Sequence, residues 1–319
     1  MIDEEIKFYF SLYKFTLRFE DQLKLFTYPG NILRGAVGSV LKEICCINKR
    51  TKECSECLIR SNCVYVYLFE SYPEEILPNF GATKDLPRPF VLEVDHTKNI
   101  YQPQEEFNFN LILFGKATQY IPYFILTLEN LSTKGIGSKK NRAKFKLVEV
   151  KDFFNKVIYK EKILKIPETK ITYQYILSQT KPQTLRNEIT LNFLSPTRIK
   201  EKGLVIKKPQ FLTLFRAMYR RILAISYFYC GQKLNFEYKL LTTQAKNVII
   251  KKENLQWYNF KRYSKKQKSK MNLGGFIGPV TYQGESDILQ LFLPFLVIGQ
   301  YTHIGKNCTF GLGRYEVVI

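Results

Sequence analysis

Histidine is nearly absent from this chain: two of its 319 residues, His96 and His303, and none earlier. Proton transfer by an imidazole, whose ordinary pKa lies near neutrality, is therefore confined to two places. Acidic residues are few, 28 against 49 lysines and arginines, and no cluster of carboxylates stands out that would hold catalytic metal ions. No stretch is apolar for long enough to span a bilayer. The start, MIDEEIKFYF, is acidic and then alternating, unlike a signal peptide, so a cytoplasmic protein with no membrane partner is expected.

What is present in excess is positive charge, a formal +21. Each phosphate neutralised by a lysine or arginine releases condensed counterions, so a surplus of this size points to a polyanionic partner. The glutamates that would balance it in ion-pair networks are missing. Nucleic acid is favoured over a membrane surface, because no segment joins basic residues to a strongly apolar helical face. Apolar residues make up 45%, with 25 phenylalanines and 21 tyrosines, which describes a globular chain long enough for two domains.

Residues 6 to 19 alternate as Ile6, Phe8, Phe10 and Leu12, then shift parity to Tyr13, Phe15, Leu17 and Phe19, predicting a long strand with a bulge at the change. PGNILRGAVGSVLKEI places Leu33, Val37, Val40, Leu41 and Ile44 on one helical face. Strands are predicted at 91–94 and 107–113. A helix follows over 120–131 with Pro122 in its first turn, then the basic loop TKGIGSKKNR and a further strand. The second half repeats this order. It has a strand at 189–193, a helix over 211–225, strands near 240–250 and 278–282, a helix over 288–296, and HIGKNCTFGLGRYEVVI as loop and last strand. Strand, helix, strand, strand, helix, strand is the order of an α+β, ferredoxin-like (RRM-like) unit with an antiparallel sheet. Two tandem units are expected: residues 1–151, with a Cys-rich insertion at 45–63 after the first helix, and residues 182–319, with a glycine-rich loop at 303–313. Residues 152–181 are read as the linker. No RNP1-like aromatic signature marks either sheet for base stacking.

PGNILRGAVG, ITLNFLSPTRIKEKG, RYSKKQKSKMNLGGFIGPVTY and HIGKNCTFGLGRYEV together resemble the CRISPR-associated precursor-crRNA processing endoribonucleases of the RAMP (repeat-associated RNA-binding protein) superfamily. The resemblance covers nearly the whole chain in the expected order. It implies two ferredoxin-like domains and a CRISPR repeat RNA, or precursor crRNA, as substrate. It also implies cleavage without a metal ion, giving 2′,3′-cyclic phosphate and 5′-hydroxyl ends, and effector-complex subunits as further partners. Many relatives carry a catalytic histidine near the end of the first helix, where this chain has none. A non-cleaving superfamily relative that holds guide RNA is the alternative reading.

RNA self-cleavage needs the 2′-hydroxyl deprotonated, the phosphate charge stabilised and the leaving 5′-oxygen protonated. His303 is the expected general base or acid, with Lys306 placing a cation against the phosphate oxygens. Gly305, Gly311 and Gly313 are expected to let backbone N–H groups approach phosphate, with Thr309 adding a hydroxyl and Arg314 holding the RNA backbone. His96, in FVLEVDHTKN, reads as a turn residue, and Tyr28 and Lys24 ahead of the first helix are fallback partners. For RNA binding, YNFKRYSKKQKSK interleaves Lys261, Arg262, Lys265, Lys266 and Lys268 with aromatics, and KGIGSKKNR offers Lys139, Lys140 and Arg142. Arg216, Arg220 and Arg221 lie along one helix and read equally well as a solvated face.

Five of seven cysteines fall in CCINKRTKECSECLIRSNC. Cys54, Cys57 and Cys63, with Cys46 or its neighbour Cys45, have the spacing of one tetrahedral structural zinc, whose four thiolates leave no open position for catalysis. An iron–sulfur cluster also fits the count, as do unliganded reduced thiols. No cofactor is expected for the reaction itself. Cys230 and Cys308 read as packing residues.

Overall fold

The structure, a computed structural model, describes residues 6–25, 28–48, 53–70, 86–138, 141–166, 170–179, 187–264 and 269–319; the side chains of 261–264 and 269–271 lie outside that description. The chain divides into two units, Phe10–Lys170, and Met1–Tyr9 together with Ile171–Ile319.

In the first unit β1 (Tyr9–Phe19) is followed by β2 (Leu23–Lys24), α1 (Pro29–Cys45), β3 (Phe90–Val94), β4 (Ile100–Tyr101) and β5 (Glu106–Phe114). Then come α2 (Ile121–Lys134), β6 (Ile136–Ser138), β7 (Asn141–Ala143), β8 (Phe145–Asp152), β9 (Val157–Lys160) and β10 (Ile163–Leu164). The main sheet is antiparallel and ordered β10-β9-β8-β1-β5-β3. Four of its members, β8-β1-β5-β3, with β3 at the sheet edge, have the ferredoxin-like order in which the first and third strands are central. Leu33, Val37, Val40 and Leu41 of α1 and Ile121, Phe124, Ile125, Leu128 and Leu131 of α2 are buried, as their 3.6-residue spacing predicts. They share one core with Phe15, Leu17, Phe19, Phe107 and Phe109, where the Phe15 and Phe109 rings stack at 4.9 Å.

Two expectations are corrected here. The parity change at Leu12–Tyr13 is not a bulge: β1 runs in unbroken register with β5 from Phe10 to Arg18, and the irregularity against β8 falls between Thr16 and Leu17. Phe10, Ser11, Leu12 and Tyr13 are all buried, so both faces are covered there and alternation has no reason to persist. Residues 152–181 do not run as a plain linker, because β9 and β10 extend the first sheet and β11 (Ile171–Thr172) and α3 (Tyr173–Gln179) begin the second unit.

That unit continues with β12 (Glu188–Thr197), β13 (Lys200–Glu201), β14 (Leu204–Val205), α4 (Phe211–Ile225), α5 (Tyr238–Ala245), β15 (Ile249–Glu253) and β16 (Gln256–Tyr258). It closes with β17 (Lys261–Ser264), β18 (Ser269–Asn272), β19 (Gly275–Gln283), α6 (Ser286–Thr302) and β20 (Tyr315–Val318). The order β15-β19-β12-β20 is again antiparallel with the first and third strands central. Two ferredoxin-like units therefore stand in tandem. Residues 240–245, read as strand, are helical because Leu241 and Ala245 bury one face at a spacing of four. Among the described residues no helix is long and apolar enough to cross a membrane.

Close packing of α6 on β20 constrains one glycine. A Cβ at Gly299 would collide with the Tyr315 hydroxyl and lie 2.7 Å from the Met218 sulfur, while that hydroxyl donates to the Leu296 carbonyl at 2.6 Å. Gly35, in α1, has nothing within 4 Å of its built Cβ. Gly299→Ala is expected to destabilise by about 1–3 kcal/mol through overpacking. Gly35→Ala is expected to stabilise by about 0.5–1 kcal/mol through helix propensity. Denaturant midpoints of the two variants check the opposite signs.

Candidate functional site

In the second unit, α6 ends at Thr302 and the chain turns back through residues 303–314 onto the end of β12. The turn is built from backbone conformations that L side chains adopt rarely: φ is 60° at His303, 91° at Gly305, 65° at Asn307, 81° at Gly311 and 77° at Gly313. At Gly305 and Gly313 main chain also meets main chain, since a Cβ would overlap the Arg198 carbonyl at the first and the Ile304 carbonyl at the second. The fold is closed by Ile304 N–H to Gly313 O (2.9 Å), Lys306 N–H to Arg198 O (2.9 Å) and Gly313 N–H to Pro196 O (3.2 Å). Ser195 joins its ends: the hydroxyl donates to Gly311 O at 2.7 Å and accepts from Arg314 N–H at 2.9 Å. From α4, Arg221 Nε donates to Thr302 O at 2.5 Å.

This geometry changes the expected roles. The amides of Gly311 and Gly313 are committed to Cys308 O and Pro196 O, so these glycines provide close approach of backbone to backbone and not N–H donors for phosphate. His303 is 0% exposed, and its Nδ1 lies 3.1 Å from Leu312 O. A carbonyl only accepts, so the bond places the proton on Nδ1 and fixes the ring as a strut inside the loop. A general base must come within about 3 Å of the hydroxyl it deprotonates, and this enclosed ring does not present itself to one. Cys308 is buried too, which pushes its thiol pKa up.

What the loop does present is Lys306, exposed, with Gly305, Thr309 and Arg314 half-buried beside it. Arg198 connects this loop to the basic hairpin β17–β18. Its carbonyl accepts Lys306 N–H, and its guanidinium donates Nη1–H to Gly274 O at 2.9 Å, just beyond β18. Lys261 and Arg262 lie on β17, with their side chains outside the description, and Lys265, Lys266 and Lys268 fall outside the described residues, as do Lys139 and Lys140. Tyr258 is exposed and packs its ring 6.0 Å from Phe260 at the start of this arm. Arg142 is exposed on β7 of the first unit, and Arg216 and Arg220 on α4. Arg221, read from sequence as part of a solvated helix face, instead turns inward to hold Thr302 O. Ser195 and Arg198 were not singled out from sequence. The only signal was a serine, proline and arginine closely following a strand, a turn-forming cluster with no periodic pattern.

The second histidine lies in the first unit. His96 leaves the end of β3 half-buried, and its ring is 5.6 Å from that of Tyr28, the residue that caps the start of α1. The neighbourhood is fixed by the β2–β4 ladder, Lys24 opposite Ile100 and Leu23 opposite Tyr101, and by Leu25 N–H to Asn99 O at 2.8 Å. Asp95 accepts Thr97 N–H at 2.8 Å, tightening the turn that carries His96. Although partial burial of Asp95 opposes ionisation, hydrogen bonds from Thr97 and the nearby His96 hold its carboxyl below the usual range. Lys24 is exposed on β2, and Lys98 lies over the Tyr101 ring and pairs with Glu105. The structure thus brings His96 and Tyr28 together at the beginning of α1, with Lys24 exposed on the short β2 that precedes it.

Cys46, Cys54, Cys57 and Cys63 are all half-buried beyond the end of α1. Among the described residues no three His, Cys, Asp or Glu side chains are gathered as a metal site.

Residues 8–186 match the family described as the AF_1859 N-terminal domain, and residues 191–315 match the family described as CRISPR-associated endoribonuclease Cas6. Among solved structures, a partial Cas6-RT-Cas1–Cas2 complex has a TM-score of 0.60 at 16% identity, with 98% of this chain and 46% of that chain covered. A Cas6 product complex has 0.59 at 14%, covering 97% and 100%, and Thermus thermophilus Cas6 has 0.54 at 15%, covering 98% and 99%. These likenesses show the fold. The chain spans less than half the length of the Cas6-RT-Cas1 chain it matches. No curated protein matches the sequence.

Removing the Ser195 hydroxyl leaves Gly311 O and Arg314 N–H without this partner. Ser195→Ala is expected to destabilise by about 1–3 kcal/mol. Faster amide exchange confined to residues 303–314, read by hydrogen-exchange mass spectrometry, is the accompanying signature.

Proposed function

The chain belongs to the CRISPR-associated Cas6 endoribonuclease family of RAMP-type processing proteins, and on that premise we propose that it binds CRISPR repeat RNA and cuts precursor crRNA without a metal ion. The reaction is internal transesterification. The 2′-hydroxyl loses its proton, O2′ attacks phosphorus, the P–O5′ bond breaks, and O5′ takes up a proton, leaving a 2′,3′-cyclic phosphate and a 5′-hydroxyl. Proton transfer falls to His96, with Tyr28 beside it and Lys24 on the neighbouring β2. One observation carries this reading: of two histidines, the loop's His303 is enclosed while His96 is partly open at the start of α1. The family resemblance implies a catalytic histidine near the end of the first helix, where this chain has none; the histidine proposed here comes from β3 and lies at the opposite end, beside the helix start.

RNA grip falls to the second unit. Lys306 and Arg314 contact phosphate, and Tyr258 and Phe260 offer rings for unpaired bases at the root of the basic hairpin. The formal +21 makes association strongly dependent on salt. One observation favours the second reading, a non-cleaving guide-RNA holder: neither α1 nor the exposed surface of the loop carries a histidine.

Cognate repeat RNA incubated in excess chelator separates the readings. Cleavage to cyclic-phosphate ends is expected, falling by about 10²-fold or more in His96→Ala, in line with the loss of a positioned acid or base. His303→Ala, corrected for its folded fraction, is expected to keep the chemistry. Binding without cutting supports the holder, and a requirement for magnesium contradicts both. Lys306→Ala should weaken binding of all sequences alike and lower the slope of log affinity against log salt by about 1, a change read by filter binding across a salt series.

A further inference from the structure

Residues 53–63, beyond α1, fold into turns with almost nothing to hold them. From Glu53 to Cys63 two short 3₁₀ turns, Cys54–Glu56 and Arg60–Asn62, contain no buried residue. Leu58 is 94% exposed and Ile47, ahead of them, 80%. Their internal bonds are single turn closures: Cys57 N–H to Cys54 O (3.3 Å), Arg60 N–H to Cys57 O (3.1 Å), Cys63 N–H to Arg60 O (3.3 Å), and Arg60 Nη1–H to Ser55 O (2.6 Å). Short 3₁₀ pieces do not hold themselves against chain entropy, and with no apolar surface to bury the hydrophobic effect does not hold them either. Small elements in this position are stapled by a cross-link or a metal.

The residues available for a staple are the thiols. Cys54 and Cys57 flank one tight turn, and Cys63 ends the next. Cys46 caps α1, with its N–H on Lys42 O at 2.9 Å. The Cys54 thiol lies within electrostatic reach of Cys46, Cys63 and Lys42. Cys45, one residue earlier, is likewise within electrostatic reach of Cys63, but it packs against the core of the first unit, which favours its neighbour Cys46 as the ligand. None of these cysteines is in a disulfide. The spacing is C-x7-C-x2-C-x5-C.

We propose that Cys46, Cys54, Cys57 and Cys63 bind one zinc ion, which pins the two turns to the end of α1. In the structure no three of these thiols are yet gathered into a cage, so binding closes the turns inward while each thiol loses its proton to solvent as its sulfur–zinc bond forms. Four thiolates around Zn²⁺ leave two net negative charges, which the Lys42 ammonium, within electrostatic reach of Cys54, offsets in part. With all four positions filled by sulfur the ion takes no part in RNA cleavage, so the proposal stands apart from the proposed function.

The test uses the full chain purified without chelator, with metal measured by elemental mass spectrometry and by dye release after thiol blocking. About one zinc per chain is expected. Cys54→Ser, Cys57→Ser and Cys63→Ser should each lose it, and Cys45→Ser and Cys230→Ser should keep it, all with wild-type circular dichroism. Stripping the metal should open tryptic cleavage at Arg60 while the rest of the chain stays resistant. Metal-free wild-type protein whose five clustered thiols alkylate freely, a pair of disulfides in their place, or iron with the visible absorbance of a cluster would each overturn the proposal. Loss of zinc in Cys45→Ser with retention in Cys46→Ser would overturn the ligand assignment.

Discussion

Backbone lies directly on backbone where residues 303–314 cross residues 194–198, and the architecture of the second unit's surface depends on that contact. Hydrogen is the only side chain that fits at Gly305 and Gly313, and the Ser195 hydroxyl bridges the loop's two ends. Packing this tight has two consequences. It draws His303 into the interior, with its imidazole on Leu312 O, and it leaves Lys306 facing solvent. Arg198 extends the same contact to the basic hairpin, holding the loop with its carbonyl and Gly274 with its guanidinium.

The first unit solves a different problem. Its first helix has no histidine, yet one arrives at the helix start through the chain's return from β3. A ladder of two residues per strand, β2 with β4, and a single Leu25–Asn99 bond set that juxtaposition. Because Tyr28 is 2% exposed and packed beside the His96 ring, the pair is supported from within. On the proposed reading the units divide the labour, with proton transfer carried by one and phosphate contact by the other. The charge surplus serves the second task, since basic groups on loops and hairpins can track an RNA backbone without fixed side-chain geometry.

Much of the fold was legible in the sequence. Alternation in β1, β5 and β12 and the apolar faces of α1, α2, α4 and α6 are strong periodic signals, and their repeated order names the tandem ferredoxin-like units. The short α5 was misread because eight residues with two buried positions carry too little pattern to exclude a strand. The role of His303 was not legible either. Glycine spacing shows that a loop turns sharply, but not whether it turns its histidine outward or folds over it, and that was decided by Ser195 and Arg198 more than a hundred residues earlier. The placement of His96 beside Tyr28 was equally hidden, since a two-residue ladder leaves no periodic trace. The cysteines were visible by count, whereas the separation of Cys45 from Cys46 emerged only from packing.

Both histidines can be interrogated at once by diethylpyrocarbonate labelling of the folded protein, followed by peptide mass spectrometry with and without repeat RNA. The account predicts rapid acylation at His96, protection of that ring by RNA, and no labelling at His303 until the chain is unfolded. Labelling at His303 in the folded protein, suppressed by RNA while His96 stays indifferent, would contradict it.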